Sequence, residues 1–200
     1  IKRKTTCLSD PMKTIIHLLS GGLDSVVMLH DLVSQGHMVH CALFRYGQSH
    51  EQELTFAKGH CRKLNVQFTT ADLPRLRGSS LTGDSGSVVV PNRNAIMLSV
   101  AVNMACAAKA EVVTFASNMD DASGFPDCRP EFLLAFNAAV KAAGIDVEVC
   151  APYINLEKRQ IVDIGRRLGV QLWDTWSCYT GGETPCGTCS ACVKREQALL

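Results

Sequence analysis

The sequence predicts an α/β fold, a five-stranded parallel sheet with helices on both faces. Three features carry this expectation. Short apolar runs of strand length alternate with longer runs whose apolar residues recur at helical spacing. The strand-like runs are largely apolar, as expected of strands covered on both faces. Glycines stand where the helices should stop. At 200 residues, 46% hydrophobic and 20% charged, the chain suits one domain with a packed core.

The elements follow in order. Residues 14–19 (TIIHLL) read as a buried strand ending at the turn Ser20-Gly21-Gly22. Residues 24–35 place Val26, Val27, Leu29, Leu32 and Val33 along a helix that Gly36 stops. Residues 37–44 form a second strand, residues 51–64 a helix, and residues 66–71 a third strand. Periodicity is lost over 72–91, where the stretches GSS and GDSGS predict a mobile surface loop. A long helix rich in Ala, Met and Val covers 92–109, a fourth strand 111–116, and a loop 117–129. Pro130 opens a helix over 131–143, residues 147–151 make the fifth strand, and a helix over 157–168 ends at Gly169. The expected division is a leader or tail over 1–11 with Met12 as a candidate start, an α/β domain over 12–172, and a cysteine-bearing segment over 173–200.

Composition narrows the function. Twenty Lys+Arg against 19 Asp+Glu leave a net charge of +1, which argues against direct nucleic-acid binding through a basic face. Aromatic residues at 6% disfavour a stacking platform for single strands. No apolar run approaches the ~18 residues of a membrane span, and the charged N-terminus lacks a signal-peptide core. Of ten cysteines, six are scattered singly, and Cys178, Cys186, Cys189 and Cys192 cluster. That distribution predicts a reducing cytoplasm and one metal site, not a disulfide framework.

The segment Ser20-Gly21-Gly22-Leu23-Asp24-Ser25 joins the first strand to the first helix. Two glycines let the main chain approach an anion, and the helix adds unpaired N–H donors and its positive end. The Ser20 and Ser25 hydroxyls can donate to phosphate oxygens, and Asp24 can help to hold Mg²⁺. Neither a Walker-type nor a dinucleotide-binding glycine pattern is present. The spacing Cys178-x7-Cys186-x2-Cys189-x2-Cys192 suits four thiolates around one structural Zn²⁺, with an iron–sulfur cluster second and a redox pair third.

SGGLDS after the first strand resembles the signature of N-type ATP pyrophosphatases, which cleave ATP between the α and β phosphates. Further segments extend the resemblance. They are Tyr46-Gly47-Gln48 with His50, Pro91 with Arg93-Asn94, Asp121 with Ser123-Gly-Phe-Pro-Asp-Cys-Arg129, Glu131-Phe132, Pro152, Lys158, and the cysteine segment through Arg195. Taken together, the sequence resembles the 7-cyano-7-deazaguanine synthase (QueC) family from Ser20 to Arg195.

The resemblance implies a Rossmann-like fold of the adenine nucleotide alpha hydrolase type. It also implies a homodimer and a ligase using ATP, Mg²⁺ and Zn²⁺. ATP would adenylate 7-carboxy-7-deazaguanine, ammonia would give an amide, and a second activation would give the nitrile, a queuosine precursor. Leu19, Ser20, Gly21, Gly22, Leu23, Asp24 and Ser25 are then expected to hold the nucleotide. Asp24, Lys158 and Arg93 are expected to stabilise charge during transfer. Tyr46, Gln48, His50, Arg93, Asp121, Ser123, Phe125, Asp127 and Arg129 are the candidate substrate contacts. Phe125 offers a stacking face, Ser123 and Asp127 edge contacts, and Arg129 a cation; Asp121 suits either Mg²⁺ or the base edge.

Several positions depart from the family pattern: Arg45 where an acidic residue or His is usual, Ser49 for Arg, Asn92 for Gly, and Ser190 for Pro. Arg45 would reverse charge beside the pocket. The alternatives are a relative that stops at the amide or passes the activated group to another amine, including a protein, a tRNA-modifying ATPase, and a non-enzymatic zinc module.

Overall fold

A computed structural model describes Leu8 and residues 12–200. The leader or tail expected over 1–11 lies outside the described residues, apart from Leu8, which packs against the core. Five strands form one sheet: β1 (Thr14–Leu18), β2 (Met38–Arg45), β3 (Gln67–Asp72), β4 (Val112–Thr114) and β5 (Glu148–Cys150). All pairings are parallel, in the order β3-β2-β1-β4-β5. The helices are α1 (Leu23–Ser34), α2 (Glu53–Lys63), α3 (Arg93–Ala108), the short α4 (Met119–Ala122), α5 (Pro130–Ala142), α6 (Lys158–Arg167) and α7 (Ser190–Leu199).

The alternation of a pleated strand divides the interior in two. Ile15, Cys41, Leu43, Val112 and Cys150 face a core closed by α1, α2, α6 and α7. Ile16, Ala42, Phe44, Val113 and Val149 face a second core closed by α3 and α5. Chain order reverses between β1 and β4, so the loops leaving their C-terminal ends diverge to opposite faces and leave a crevice. Open α/β sheets bind ligands at that switch point.

His17 is the polar residue in the middle of β1. Its Nδ1 lies 2.9 Å from Thr114 Oγ1 and its Nε2 2.9 Å from the Ser25 carbonyl, tying the start of α1 to β4. Burial lowers its pKa to about 4, so the ring is neutral and serves as a hydrogen-bonding strut.

The structure adds to the sequence expectation in three places. The Gly/Ser-rich stretch within 72–91 is not wholly at the surface: Ser79, Leu81, Thr82 and Val90 are buried, and Leu81 and Val90 belong to the second core. Helix α4 interrupts the 117–129 loop, with the Asn118 side chain accepting from the Asp121 amide at its start. Residues 190–199 form α7, which puts Ala198 into the first core, so the cysteine segment is packed on the sheet domain.

Candidate active site

The crevice between the β1 and β4 loops is a cleft of about 510 Å³, within the ~300–1,000 Å³ range of small-molecule sites. Leu19, Ser20, Gly22, Leu23, Asp24 and Ser25 line one side. Gly22 N donates to Ser20 Oγ at 3.1 Å, Ser25 Oγ donates to the Gly22 carbonyl at 3.0 Å, and the two hydroxyls are 3.0 Å apart. The first amides of any helix lack an intrahelical partner, and α1 has no side-chain cap to satisfy them where its first turn lines the cleft. A turn of this build at a helix start can receive an anion and serves as the candidate anion cradle.

Gly21 does not line the cleft, because it holds the turn against the start of α2. Its φ is +88°, and a Cβ there would lie 2.1 Å from the Glu53 carbonyl oxygen. Gly21→Ala should therefore cost at least about 2 kcal/mol and lower the melting temperature by about 4–8 °C. A thermal melt checks this, and an unchanged melting temperature would contradict the packing described.

Across from the cradle, Lys158 Nζ lies 2.5 Å from Asp24 Oδ2, with both side chains about 15% exposed. Asp120 accepts from the Lys158 amide at 2.7 Å and so anchors the start of α6. Asn118 Nδ2 bridges Asp24 Oδ2 at 3.3 Å and Asp121 Oδ2 at 2.8 Å. Burial pushes the Asp24 carboxyl up, Lys158 pulls it down, and Asp121 and Asp120 push it up again. Burial opposes the charge on Lys158, but Asp24 and Asp121 outweigh it and raise its pKa. Three carboxylates thus gather around one ammonium, and Asp24 Oδ1 is buried without a partner. Such a surplus suits a divalent cation accompanying a polyphosphate.

The far end of the cleft is built by Tyr46, His50, Glu53, Arg93, Phe125, Cys128 and Tyr179. Arg93 Nη1 is 3.4 Å from Tyr46 Oη. Arg93 opens α3 from Asn92, which adopts φ +59°. Asparagine tolerates this left-handed conformation better than most residues, which accounts for the Gly usual there. Phe125 presents a ring at the edge of the cleft and Asp121 lines its floor.

Four candidate contacts lie elsewhere. Gln48 is buried in the turn, accepting from Tyr46 N at 2.8 Å and donating to the Phe44 carbonyl at 3.0 Å. Asp127 accepts from Asn94 N at 3.4 Å. Ser123 donates to the Asp120 carbonyl, and Arg129 Nε donates to the Ala122 carbonyl at 2.9 Å. None of the four is among the cleft-lining residues; Ser123 and Arg129 brace the loop that carries Phe125, Asp127 ties that loop to the start of α3 beside Arg93, and Gln48 braces the turn after β2. Arg45 is also outside the cleft: its guanidinium pairs with Asp72 on β3 at 2.9 Å, so the expected charge reversal is neutralised at the sheet surface.

The cysteine segment forms the remaining wall through Trp176, Ser177, Tyr179, Ser190, Ala191 and Lys194. The Sγ atoms of Cys178, Cys186, Cys189 and Cys192 all lie within 4.8 Å of one another. With metal–sulfur bonds of about 2.3 Å, tetrahedral thiolates sit about 3.8 Å apart; Cys186 and Cys192 are at 4.0 Å. Cys178 Sγ accepts the Thr180 and Cys186 amides, and Cys186 Sγ accepts the Cys189 amide, all at 3.3–3.4 Å. Such N–H···S donors suit thiolates, so the four residues fit a tetrahedral metal.

The cysteine segment is tied to the glycine turn. Trp176 N donates to the Gly21 carbonyl at 2.9 Å, and the Trp176 ring stacks on Phe56 of α2 at 5.6 Å. Arg195 of α7 donates to the Leu172 carbonyl at 2.7 Å and to Thr175 Oγ1. Sequence reasoning did not single out Glu53, Trp176 or Lys194. Glu53 had a signal, a carboxylate three residues past His50 at a helix start.

A parallel sheet with an SGG-x-DS cradle at its switch point places the chain in the PP-loop class of Rossmann-like nucleotide-binding folds. Two solved structures share the fold. The U34-tRNA thiolase NcsA from Methanococcus maripaludis, solved with its [4Fe-4S] cluster, has a TM-score of 0.60 at 15% identity, covering 96% of this chain and 65% of that one. The NH3-dependent NAD synthetase from Campylobacter jejuni has a TM-score of 0.53 at 18% identity, covering 84% and 69%.

The family described as queuosine biosynthesis protein QueC matches residues 14–200, and the chain belongs to that family. It is 39% identical over 205 residues to a 7-cyano-7-deazaguanine synthase of Caldicellulosiruptor saccharolyticus, covering 94% of this chain and 91% of the relative. It is 40% identical over 201 residues to one of Hahella chejuensis, covering 92% and 87%.

Proposed function

We propose that this chain is an ATP-dependent carbon–nitrogen ligase that converts 7-carboxy-7-deazaguanine and ammonia, through the amide, into 7-cyano-7-deazaguanine. The observation that carries this reading is convergence. The anion cradle, the Asp24–Lys158 pair, Arg93 and the Phe125 ring all open into one cleft. A carboxylate attacking the α-phosphate needs little covalent help, but it needs fixed cations and donors around the leaving pyrophosphate.

In this reading the α1 amides and the Ser20 and Ser25 hydroxyls receive the pyrophosphate, and Lys158 stabilises charge developing on the α-phosphate. Asp24, with Asp121 beside it, would hold Mg²⁺, which neutralises phosphate charge when bound. Phe125 stacks on the flat deazaguanine, and Arg93 faces its carboxylate. The four cysteines would hold Zn²⁺ as a structural ion, since a closed four-thiolate shell leaves no position for substrate. Lys158 and Asp24 serve again when the amide oxygen is activated for loss of AMP. The same reading places the chain in a reducing, cytoplasmic setting, where the four clustered cysteines stay available to a metal. No helix among the described residues is long and apolar enough to cross a membrane. A homodimer belongs to the same reading, and light scattering reads it directly.

The test is a product assay. With Mg·ATP, ammonium and 7-carboxy-7-deazaguanine, the purified chain should release pyrophosphate only when the acid is present, and mass spectrometry should show amide, then nitrile. Pyrophosphate release indifferent to the acid would overturn the reading. Amide that accumulates without nitrile would restrict it to the first half.

A further inference from the structure

One cluster in the cleft has no task in activating the carboxyl. Glu53, the first residue of α2, turns its carboxyl into the cleft with 12% of the side chain exposed. Its Oε1 accepts from Gln48 Nε2 at 3.3 Å and lies 3.7 Å from His50 Nε2. His50 is buried, lines the same cleft, and leaves its Nδ1 without any partner. Gln48 is itself pinned by Phe44 and Tyr46, so the Glu53 carboxyl is held in place. The groups around it are Tyr46 at the end of β2, His50 before α2, Arg93 at the start of α3, and Tyr179 from the cysteine segment against the His50 ring. Arg93 is the one fixed cation among them.

The chemistry of the proposed reaction separates into two halves. Joining a carboxylate to AMP releases pyrophosphate and no proton from the acid. Joining ammonia to the acyl-adenylate must release one. The nitrogen lone pair forms the C–N bond while the carbonyl pair moves to oxygen. On collapse the C–O bond to AMP breaks, its electrons leave on the phosphate oxygen, and one N–H proton must find a base. We propose that Glu53, with His50 beside it, receives this proton and so marks the amine subsite of the cleft. The proposal rests on the ligase reading above. Burial raises the Glu53 pKa to about 8, with Arg93 and the Gln48 hydrogen bond pulling it down, so the carboxyl can take and return a proton near neutrality. Burial, then Arg93, lowers His50 to about 4, so it is neutral and adds no second cation.

The experiment compares two rates in the same preparation. One is acid-dependent exchange of labelled pyrophosphate into ATP without amine. The other is single-turnover amide formation with ammonia. In Glu53→Gln the ratio of amide formation to exchange should fall by about 10²-fold or more. Hydroxylamine, whose conjugate acid is mostly deprotonated at neutral pH, should recover more of the loss than ammonia does. In the wild type, amide formation at fixed free ammonia should rise with pH through a limb near 8, which exchange lacks. A ratio that stays at the wild-type value overturns the proposal, including when both rates drop together from poor folding. The absence of the wild-type limb overturns it independently of any variant. A wild type that exchanges no pyrophosphate removes the ligase reading instead, a result recognisably different from an unchanged ratio.

Discussion

Lys158→Met should lower acid-dependent pyrophosphate release by about 10²–10³-fold. Among the described residues the ammonium is the one cation paired directly with Asp24, at 2.5 Å, while Asp121 and Asp120 add negative charge nearby. Without it the Asp24 carboxyl keeps its burial penalty and loses the partner that lowers its pKa, so it takes up a proton. A protonated Asp24 is a poor ligand for Mg²⁺, and the α-phosphate loses its fixed positive neighbour.

The stability effect has a definite sign. A carboxyl whose folded pKa lies above its unfolded value stabilises least at high pH, because the unfolded chain ionises first. The deficit of Lys158→Met should therefore grow as pH rises above 3.8, the ordinary aspartate value. At most it should approach the ~3–5 kcal/mol of a broken buried pair. Lys158→Arg should keep stability better than activity, since a planar guanidinium cannot reproduce a point charge. Pyrophosphate release and urea titration check the two halves; a methionine variant with wild-type turnover would remove Lys158 from the mechanism.

Stripping the metal should be the second large loss. Metal analysis should find about one zinc per chain. Its removal by chelator should lower the melting temperature by about 10 °C or more. The loss should extend to nucleotide affinity, because the wall formed by Trp176 through Lys194 depends on the four cysteines. Restoring zinc should restore both. Iron in place of zinc, visible as a coloured protein, would assign the cluster to iron–sulfur chemistry, and a metal-free chain with full stability would leave the thiols without a ligand.

What could be read from the sequence was local. The cradle spans six consecutive residues, and Cys178 to Cys192 lie within one turn-rich stretch, so spacing alone exposes their chemistry. Strands such as 14–18 announce themselves because burial on both faces demands apolar residues throughout. Side-chain direction was not legible. Gln48, Ser123, Asp127 and Arg129 sit in motifs that reach the cleft, yet main-chain groups of their own loops engage Gln48, Ser123 and Arg129, the Asn94 amide of α3 engages Asp127, and none of the four lines the cleft. Glu53 and Tyr179 line one cleft only because the start of α2 and the final segment converge there from distant parts of the chain. Helix α7 was missed although AlaCysValLysArgGluGlnAlaLeu carries good helix formers, because cysteine spacing dominated that stretch.

The hydrogen bond from Trp176 to Gly21 joins the first-made part of the pocket to nearly the last. During translation the glycine bend leaves the ribosome early, and the tryptophan that braces it emerges only after the whole sheet. Until that tryptophan arrives, the glycine bend stands without its brace. The four clustered cysteines come together in that same late segment, so the side that shuts the bend and the group of thiols are completed together.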